Sequence, residues 1–551
     1  MSKTLSRVAG RKFPRRVAVW FRLASTNYLV VYERQGSTYQ FEVSRCAACT
    51  SGEVSMLRDL IDSELCKQSV LVVYGLTLYW HWREGELHYA LEEAGLRLFS
   101  TTATSFPFLA TYIAKREIGG KQKSRFVQLI DIECVYPFEA IEGIAEMAKI
   151  SSRYTNDERD LYICTEFYAY ILSYLAQAVD ICGGNCYSYT AAGMGMLSFR
   201  TKFVANNDIS CALEERVASL CYNAVYGGYT EVVQSGQLDG VWYFCDANNL
   251  YHHLVSTVPV PGRLVSYSED PTTSMIDYAA DTGLGVAEVT LFDNELKLPV
   301  RDTRGAIEYR SGYVQTYLAG RDLSLALRKS KCFLVHRIAV FKPSTSLPNY
   351  ATWCLSLLSE LKLGAPKFLY KLVKRILTST YGKFAQLGRR LVPAENITAR
   401  GWSCDWYDKD ERGILRRFVS LFGKTYVEID DEVPSHANPA VFACITAEAR
   451  DWLRRVCSII NKGRVVYLDT DCVVTNEEGL RELERAGMIG QEPGQLQVKD
   501  VVSNLYIYAP KCYVAGGVNV MAGLRRARRF PGVPESFADL AASEAPSWTH
   551  R

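Results

Sequence analysis

Three aspartates, Asp246, Asp469 and Asp471, are the residues whose type and spacing most plainly could do chemistry. Asp469-Thr470-Asp471 follows Val465-Val466-Tyr467-Leu468 and precedes Val473-Val474-Thr475, which predicts a β-hairpin with two carboxylates at its tip. Asp246 ends a second apolar run, Val241-Trp242-Tyr243-Phe244-Cys245, which reads as another strand. Carboxylate oxygens suit hard divalent cations. Three that converge suit a two-ion displacement, one ion activating a hydroxyl and the other steadying the leaving oxygen. Nucleotidyl transfer is the chemistry that fits. A lone Asp-x-Asp is ordinary turn chemistry, so the assignment needs further support from the chain.

That support comes from a basic helix. Lys367, Lys371, Lys374 and Thr378 recur at helical spacing, with Leu369, Leu372, Val373 and Ile376 largely on the other side. Between Lys362 and Arg390 stand eight basic residues (Lys362, Lys367, Lys371, Lys374, Arg375, Lys383, Arg389 and Arg390) and no acid. A solvated helix face normally intersperses Glu and Asp; this one reads as a surface for polyphosphate. Tyr381 followed by Gly382 offers a flat ring beside closely approaching backbone.

With these residues in view, the chain resembles a family B DNA polymerase of the protein-primed branch found in phages and linear plasmids. The branch's Asp-x-x-Ser-Leu-Tyr-Pro motif reads here Asp246-Ala247-Asn248-Asn249-Leu250-Tyr251-His252, and its Lys-x-x-x-Asn-Ser-x-Tyr-Gly reads Lys374 to Gly382 with Thr378 for Asn. Tyr-x-Asp-Thr-Asp-Ser reads Tyr467 to Cys472. Tyr226-Gly227-Gly228 is similar to the Tyr-x-Gly-Gly element that touches template, and Lys511-Cys512-Tyr513 to the Lys-x-Tyr element at the primer end. Five motifs in order span 288 positions. The substitutions at Asn249, His252, Thr378 and Cys472 remove no expected metal carboxylate.

The resemblance implies roles. Asp246 and Asp471 would bridge two Mg²⁺ ions, with Mn²⁺ an alternative and Asp469 assisting. Tyr251 would stack beneath the incoming sugar, Lys374 would neutralise the triphosphate, and Tyr381 would line the nascent base pair. Tyr226, Gly227, Gly228, Lys511 and Tyr513 would contact DNA. Partners would be template and primer DNA, dNTPs and a terminal-protein primer, with a monomeric protein and no membrane. Two alternatives stand beside the polymerase: an inactive nucleic-acid-binding scaffold derived from one, and a self-primed or untemplated polymerase. A pure scaffold has no physical need for clustered carboxylates.

The N-terminal region reads differently. Members of the branch carry a proofreading domain with four metal-binding carboxylates. The strand that should end in the first pair is Val17-Ala18-Val19-Trp20-Phe21-Arg22-Leu23, without an acid. In Val72 to Tyr79 a tyrosine takes the second position, and Asp160 alone matches the third. One carboxylate cannot hold two metals, so proofreading is expected to be lost. Leu129-Ile130-Asp131-Ile132-Glu133-Cys134 locally resembles the first nuclease motif of cellular relatives. Only 113 residues separate Glu133 from Asp246, however, and Asp131 fits better on a later strand.

The elements that must position these groups imply an α/β and α+β multidomain fold: an exonuclease-like (RNase H-like) N-terminal domain, then a right-hand palm, fingers and thumb. The expected boundaries are 1–190 for the degenerate nuclease domain, 191–260 for the first part of the palm, and 261–360 for palm plus a first terminal-protein region. The fingers take 361–386, a second terminal-protein-region hairpin 387–434, the catalytic palm hairpin 435–500, and thumb and tail 501–551. The 551 residues are 48% hydrophobic, enough for several folded domains. Net charge is only +3, so basic residues must be locally arranged to grip nucleic acid, as in the fingers run and in Arg525-Arg526-Ala527-Arg528-Arg529.

The first sixteen residues hold six basic groups and no acid, which suits a nucleic-acid-binding arm or a mitochondrial presequence. Without a secretory signal, the 17 cysteines point to free thiols in a reducing compartment, host cytoplasm or mitochondrion. Cys46 and Cys49 with Cys182 and Cys186 could hold zinc but lack the wider Cys/His pattern.

Overall fold

The computed structural model describes residues 3–521 apart from 24–25, 50–54, 76–77, 79–81, 83–85, 94, 102–108, 119, 137–140, 142–143, 146–160, 303–305, 331, 395, 402, 410–414, 431–432 and 517. The chain divides into two compact units, one formed by 1–4, 208–355 and 438–551, the other by 5–207 and 356–437.

The first unit is built on a seven-stranded antiparallel sheet. Its order is Thr230–Val232, Val465–Asp469, Cys472–Thr475, Gly236–Ala247, Leu496–Ala509, Cys512–Ala515, Val518–Met521. Period-two alternation sorts its side chains. Cys245, Ala247, Leu468 and Val473 face a core shared with Ala449, Leu453 and Val456 of the helix Pro439–Ile459. Trp242, Phe244, Tyr467 and Val474 form a separate core with Leu505 and Ile507 on the other face. Asn438 starts that helix by accepting from Ala440 N–H, and Pro439 occupies the first turn, where its missing donor costs nothing. A second, four-stranded antiparallel sheet runs Pro261–Ser268, Cys332–Pro343, Gly285–Arg301, Ile307–Ala319.

The second unit carries a seven-stranded mixed sheet, ordered Phe41–Cys49, Thr26–Arg34, Arg16–Leu23, Val70–Gly75, Lys121–Asp131, Leu109–Ile118, Arg97–Thr101. Arg16–Leu23 pairs in parallel with Val70–Gly75, which pairs in parallel with Lys121–Asp131. A four-stranded antiparallel sheet, Arg389–Pro393, Lys424–Asp430, Leu415–Leu421, Ser403–Lys409, sends Val419 and Leu421 into the core of Trp20, Val73 and Leu129. The basic helix forms over Lys367–Thr378, burying Leu369, Leu372, Val373, Ile376 and Leu377. Among the described residues no helix is long and apolar enough to cross a membrane.

Several expected boundaries fall inside continuous structure. Position 360/361 lies within the helix Ser346–Gly364, and 500/501 within the strand Leu496–Ala509, which pairs with Gly236–Ala247 along most of its length. The helix Ala191–Lys202 belongs to the second unit, where Gly195 lies so close to Ile376 and Thr380 that a Cβ would meet Ile376 O at 2.3 Å. Hydrogen-bond ladders and close packing span these positions, and neither is visible in local composition.

Candidate active site

The hairpin forms where expected, and its register brings the acids together. Cys472 lies opposite Asp469 on one side and Asp246 on the other. Residues directly opposite share a sheet face, so both carboxylates flank the Cys472 thiol on the face of Phe244 and Tyr467. Thr470 turns the chain with φ 62°, and Asp471 sits one residue before Cys472, its carbonyl accepting from Ala247 N–H at 2.8 Å. Burial and then Asp246, Asp471 and Asp469 push the Cys472 thiol far up, the electrostatic mark of three acids around one group.

Asp469 is held by several donors. Thr230 and Thr470 hydroxyls donate to Oδ1 at 3.3 and 3.1 Å, Tyr467 Oη donates to Oδ2 at 3.2 Å, and Lys511 Nζ stands 3.2 Å from Oδ1. Lys511 itself has φ 58°, and its N–H donates to Tyr467 Oη at 2.8 Å. The Tyr513 ring lies 5.6 Å from that of Tyr467 and 5.7 Å from Phe244. The Lys-x-Tyr element therefore borders the hairpin acids directly.

Tyr226-Gly227-Gly228 reaches the same turn. A Cβ on Gly228 would stand 2.5 Å from Thr470 Cγ2, so glycine is required there for backbone to approach the hairpin tip. Arg450, which the sequence motifs do not mark, fixes this segment: its guanidinium donates to Gly227 O at 2.6 Å and to Tyr226 O at 3.4 Å. It also pairs with Asp322 at 2.8 Å, and Arg454 pairs with the same carboxylate. Arg450 is 1% exposed and Asp322 0%. Burial raises the Asp322 carboxyl, but Arg450 and Arg454 outweigh it and hold the group below its ordinary value. Tyr226 Oη lies 3.0 Å from Thr316 Oγ1.

The departures from the family motifs have local reasons. Asn249 takes φ 49° before the helix Leu250–Thr257, a left-handed conformation Asn tolerates better than most residues. Thr378 bonds back to the Lys374 carbonyl. Tyr251 is pushed up to about 12 by burial and then by Asp471, which places its ring beside the acids. Lys374 lies on the basic helix of the second unit, and Tyr381 follows on Thr380–Lys383, 2% exposed.

Among the described residues no three His, Cys, Asp or Glu side chains stand as a ready metal cage. The three carboxylates at the hairpin nevertheless offer oxygen donors and three formal charges at one sheet end, which suits hard divalent ions, with the Cys472 thiol lying between Asp246 and Asp469. Cys182 and Cys186 are buried and Cys46 exposed, while the Cys49 side chain lies outside the described residues. In the mixed sheet, Trp20 and Phe21 of the acid-free strand Arg16–Leu23 are both buried. Asp131 ends Lys121–Asp131 opposite Gly75 and is buried. Tyr79, Asp160 and the Arg525–Arg529 cluster lie outside the described residues.

The fold is similar to that of solved DNA polymerases, in agreement with the motif resemblance. Solved structures of Phi29 DNA polymerase are among those it resembles. With primer-template DNA bound, that protein matches at TM-score 0.63 and 14% identity over 94% of this chain and 93% of its own. Its complex with primer-template DNA and incoming nucleotides matches at 0.63 and 16%, covering 91% and 88%. Its complex with single-stranded DNA matches at 0.62 and 14%, covering 93% and 89%. No family model and no curated protein matches the sequence.

Proposed function

We propose that this protein is a template-directed DNA polymerase that extends a primer 3′ end by nucleotidyl transfer, initiates on a protein primer, and lacks proofreading. The observation that carries the reading is the register placing Asp246 and Asp469 on either side of Cys472, with Asp471 at the adjoining turn. Asp246 and Asp471 would hold two Mg²⁺ or Mn²⁺ ions, with Asp469 beside them. Bound ions of this kind acidify an attacking hydroxyl and neutralise charge on phosphoryl oxygens.

The chain's own residues would mainly position and neutralise. Tyr251, beside Asp471, would floor the sugar site and oppose a ribose 2′-hydroxyl. Lys374 would supply positive charge to the triphosphate, and Tyr381 a flat wall for the new base pair. Lys511 and Tyr513 would steady the primer terminus next to Asp469, and the Tyr226–Gly228 backbone would seat template against the hairpin. Loss of proofreading is supported by the acid-free strand Arg16–Leu23.

Primer extension on a defined template with Mg²⁺ and four dNTPs tests the activity. A 3′-mismatched primer incubated without dNTPs tests the nuclease. Extension without mismatch removal is expected. Shortening of the mismatched primer would overturn the proofreading part alone.

A further inference from the structure

The strand Gly236–Ala247, which carries Asp246, and the helix Leu250–Thr257, which carries Tyr251, are joined by Asn248 and Asn249 alone. The position of the Tyr251 ring beside the acids therefore depends on a two-residue turn. Asn248 is tied through three atoms to segment 491–495, which links the helix Glu477–Arg485 to the strand Leu496–Ala509. Its N–H donates to Gln495 O at 2.8 Å, its carbonyl accepts from Gly494 N–H at 2.8 Å, and its Nδ2 donates to Gln491 O at 2.7 Å. The first bond only continues the ladder that pairs Ala247 with Leu496. The side-chain bond does not, and it needs a donor on the side chain at position 248.

The same segment meets the helix again just beyond Tyr251. Gly494 has φ 84°, and a Cβ there would stand 2.4 Å from His253 Cδ2, so the His253 ring lies against bare backbone that only glycine provides. The segment is itself braced. Gln495 Oε1 accepts from Glu492 N–H at 3.1 Å, Gln495 Nε2 donates to Gly487 O at 3.1 Å, and Gly490 N–H donates to Leu496 O at 3.0 Å. Its two contacts, at Asn248 and His253, fall on either side of Tyr251. We infer that segment 491–495 is a clasp that sets where the Tyr251 ring stands, with Asn248 as a positioning residue that governs selection of the incoming sugar. The inference rests on the polymerase reading, in which Tyr251 opposes a ribose 2′-hydroxyl. Asn248 acts through Tyr251 and not on a reacting atom.

The test uses the full chain and two readouts. The first is the ratio of kcat/KM for a dNTP to that for the matching rNTP, measured on a primer-template with Mg²⁺. Asn248→Ala should lower that ratio about fivefold, the scale of one net hydrogen bond. Asn248→Gln, which keeps an amide donor, should recover part of it. Gly494→Ala should lower the ratio at least as far, since its Cβ must displace His253, and adding His253→Ala should return part of the loss. The second readout is hydrogen exchange of the protein alone, without metal, DNA or nucleotide. The amides of 248–256 should exchange faster in Asn248→Ala than in wild type, with the helix Pro439–Ile459 unchanged.

A proportional loss of dNTP and rNTP use, with the ratio unchanged, would overturn the inference and leave Asn248 a merely structural residue. Unchanged exchange at 248–256 in Asn248→Ala would overturn the clasp itself, whatever the kinetics. A wild-type chain that extends no primer would instead sink the polymerase reading, and the role in sugar selection with it.

Discussion

Replacing Arg450 with methionine should cost about 3 kcal/mol of stability, the lower end for breaking a buried ion pair, because Arg454 still touches Asp322. The wild-type guanidinium stands 2.8 Å from Asp322 through each of two nitrogens and 2.6 Å from Gly227 O. Methionine fills much of the volume but leaves a fully buried carboxylate short of a cation and a backbone carbonyl without its donor. Urea unfolding followed by tryptophan fluorescence would read the loss. Asp322→Leu in the Arg450→Met background should recover part of it, giving a coupling energy of about 2 kcal/mol in the double-mutant cycle.

The pH dependence has a definite sign. Asp322 is depressed in the folded protein, so its contribution is present above the unfolded carboxyl value of about 3.9 and is lost as pH falls through the folded one. The gap between wild type and Arg450→Met should therefore narrow under acid conditions. A destabilisation below about 1 kcal/mol at neutral pH, within the range of an exposed pair, would refute the claim that this pair anchors the Tyr226–Gly228 segment.

Other outcomes follow from the same geometry. Gly228→Ala should lower primer extension at least about tenfold while the fold persists by circular dichroism, since its Cβ would press on Thr470 at 2.5 Å; adding Thr470→Gly should restore much of the rate, and failure of that rescue would remove the steric explanation. Lys511→Met should weaken primer-terminus binding more than Lys511→Arg, measured as KM for primer-template at fixed nucleotide, whereas equal effects would argue against a role for charge beside Asp469. Phe422→Ala strips the ring lying 3.6 Å over His88 and should cost about 3 kcal/mol in thermal unfolding, with little change if the sheet around Leu415–Leu421 is held by other packing.

Local pattern made part of this legible. Alternating apolar residues and an Asp-Thr-Asp turn announced the hairpin, and helical spacing of lysines against Leu369, Leu372 and Ile376 announced the basic helix; both form as expected. Asp322 and Arg450 carry no such mark, because they lie 128 positions apart and their pairing depends on packing between Gly320–Lys329 and Pro439–Ile459. Nor could composition reveal that Val419 and Leu421 enter the core of a sheet made by residues more than 280 positions earlier. Position 500/501 was unmarked for a related reason: the strand that runs across it is specified by its partner strand Gly236–Ala247, not by its own local sequence.

The central claim is tested most directly by single-nucleotide incorporation opposite each of the four template bases, with Mg²⁺, for wild type beside Asp471→Asn and Asp246→Asn. Wild type should add only the complementary nucleotide in each case, and either substitution should reduce the rate by at least about 10³-fold, the loss of roughly 4 kcal/mol of transition-state stabilisation. Incorporation indifferent to template, or undiminished in both variants, would contradict the account.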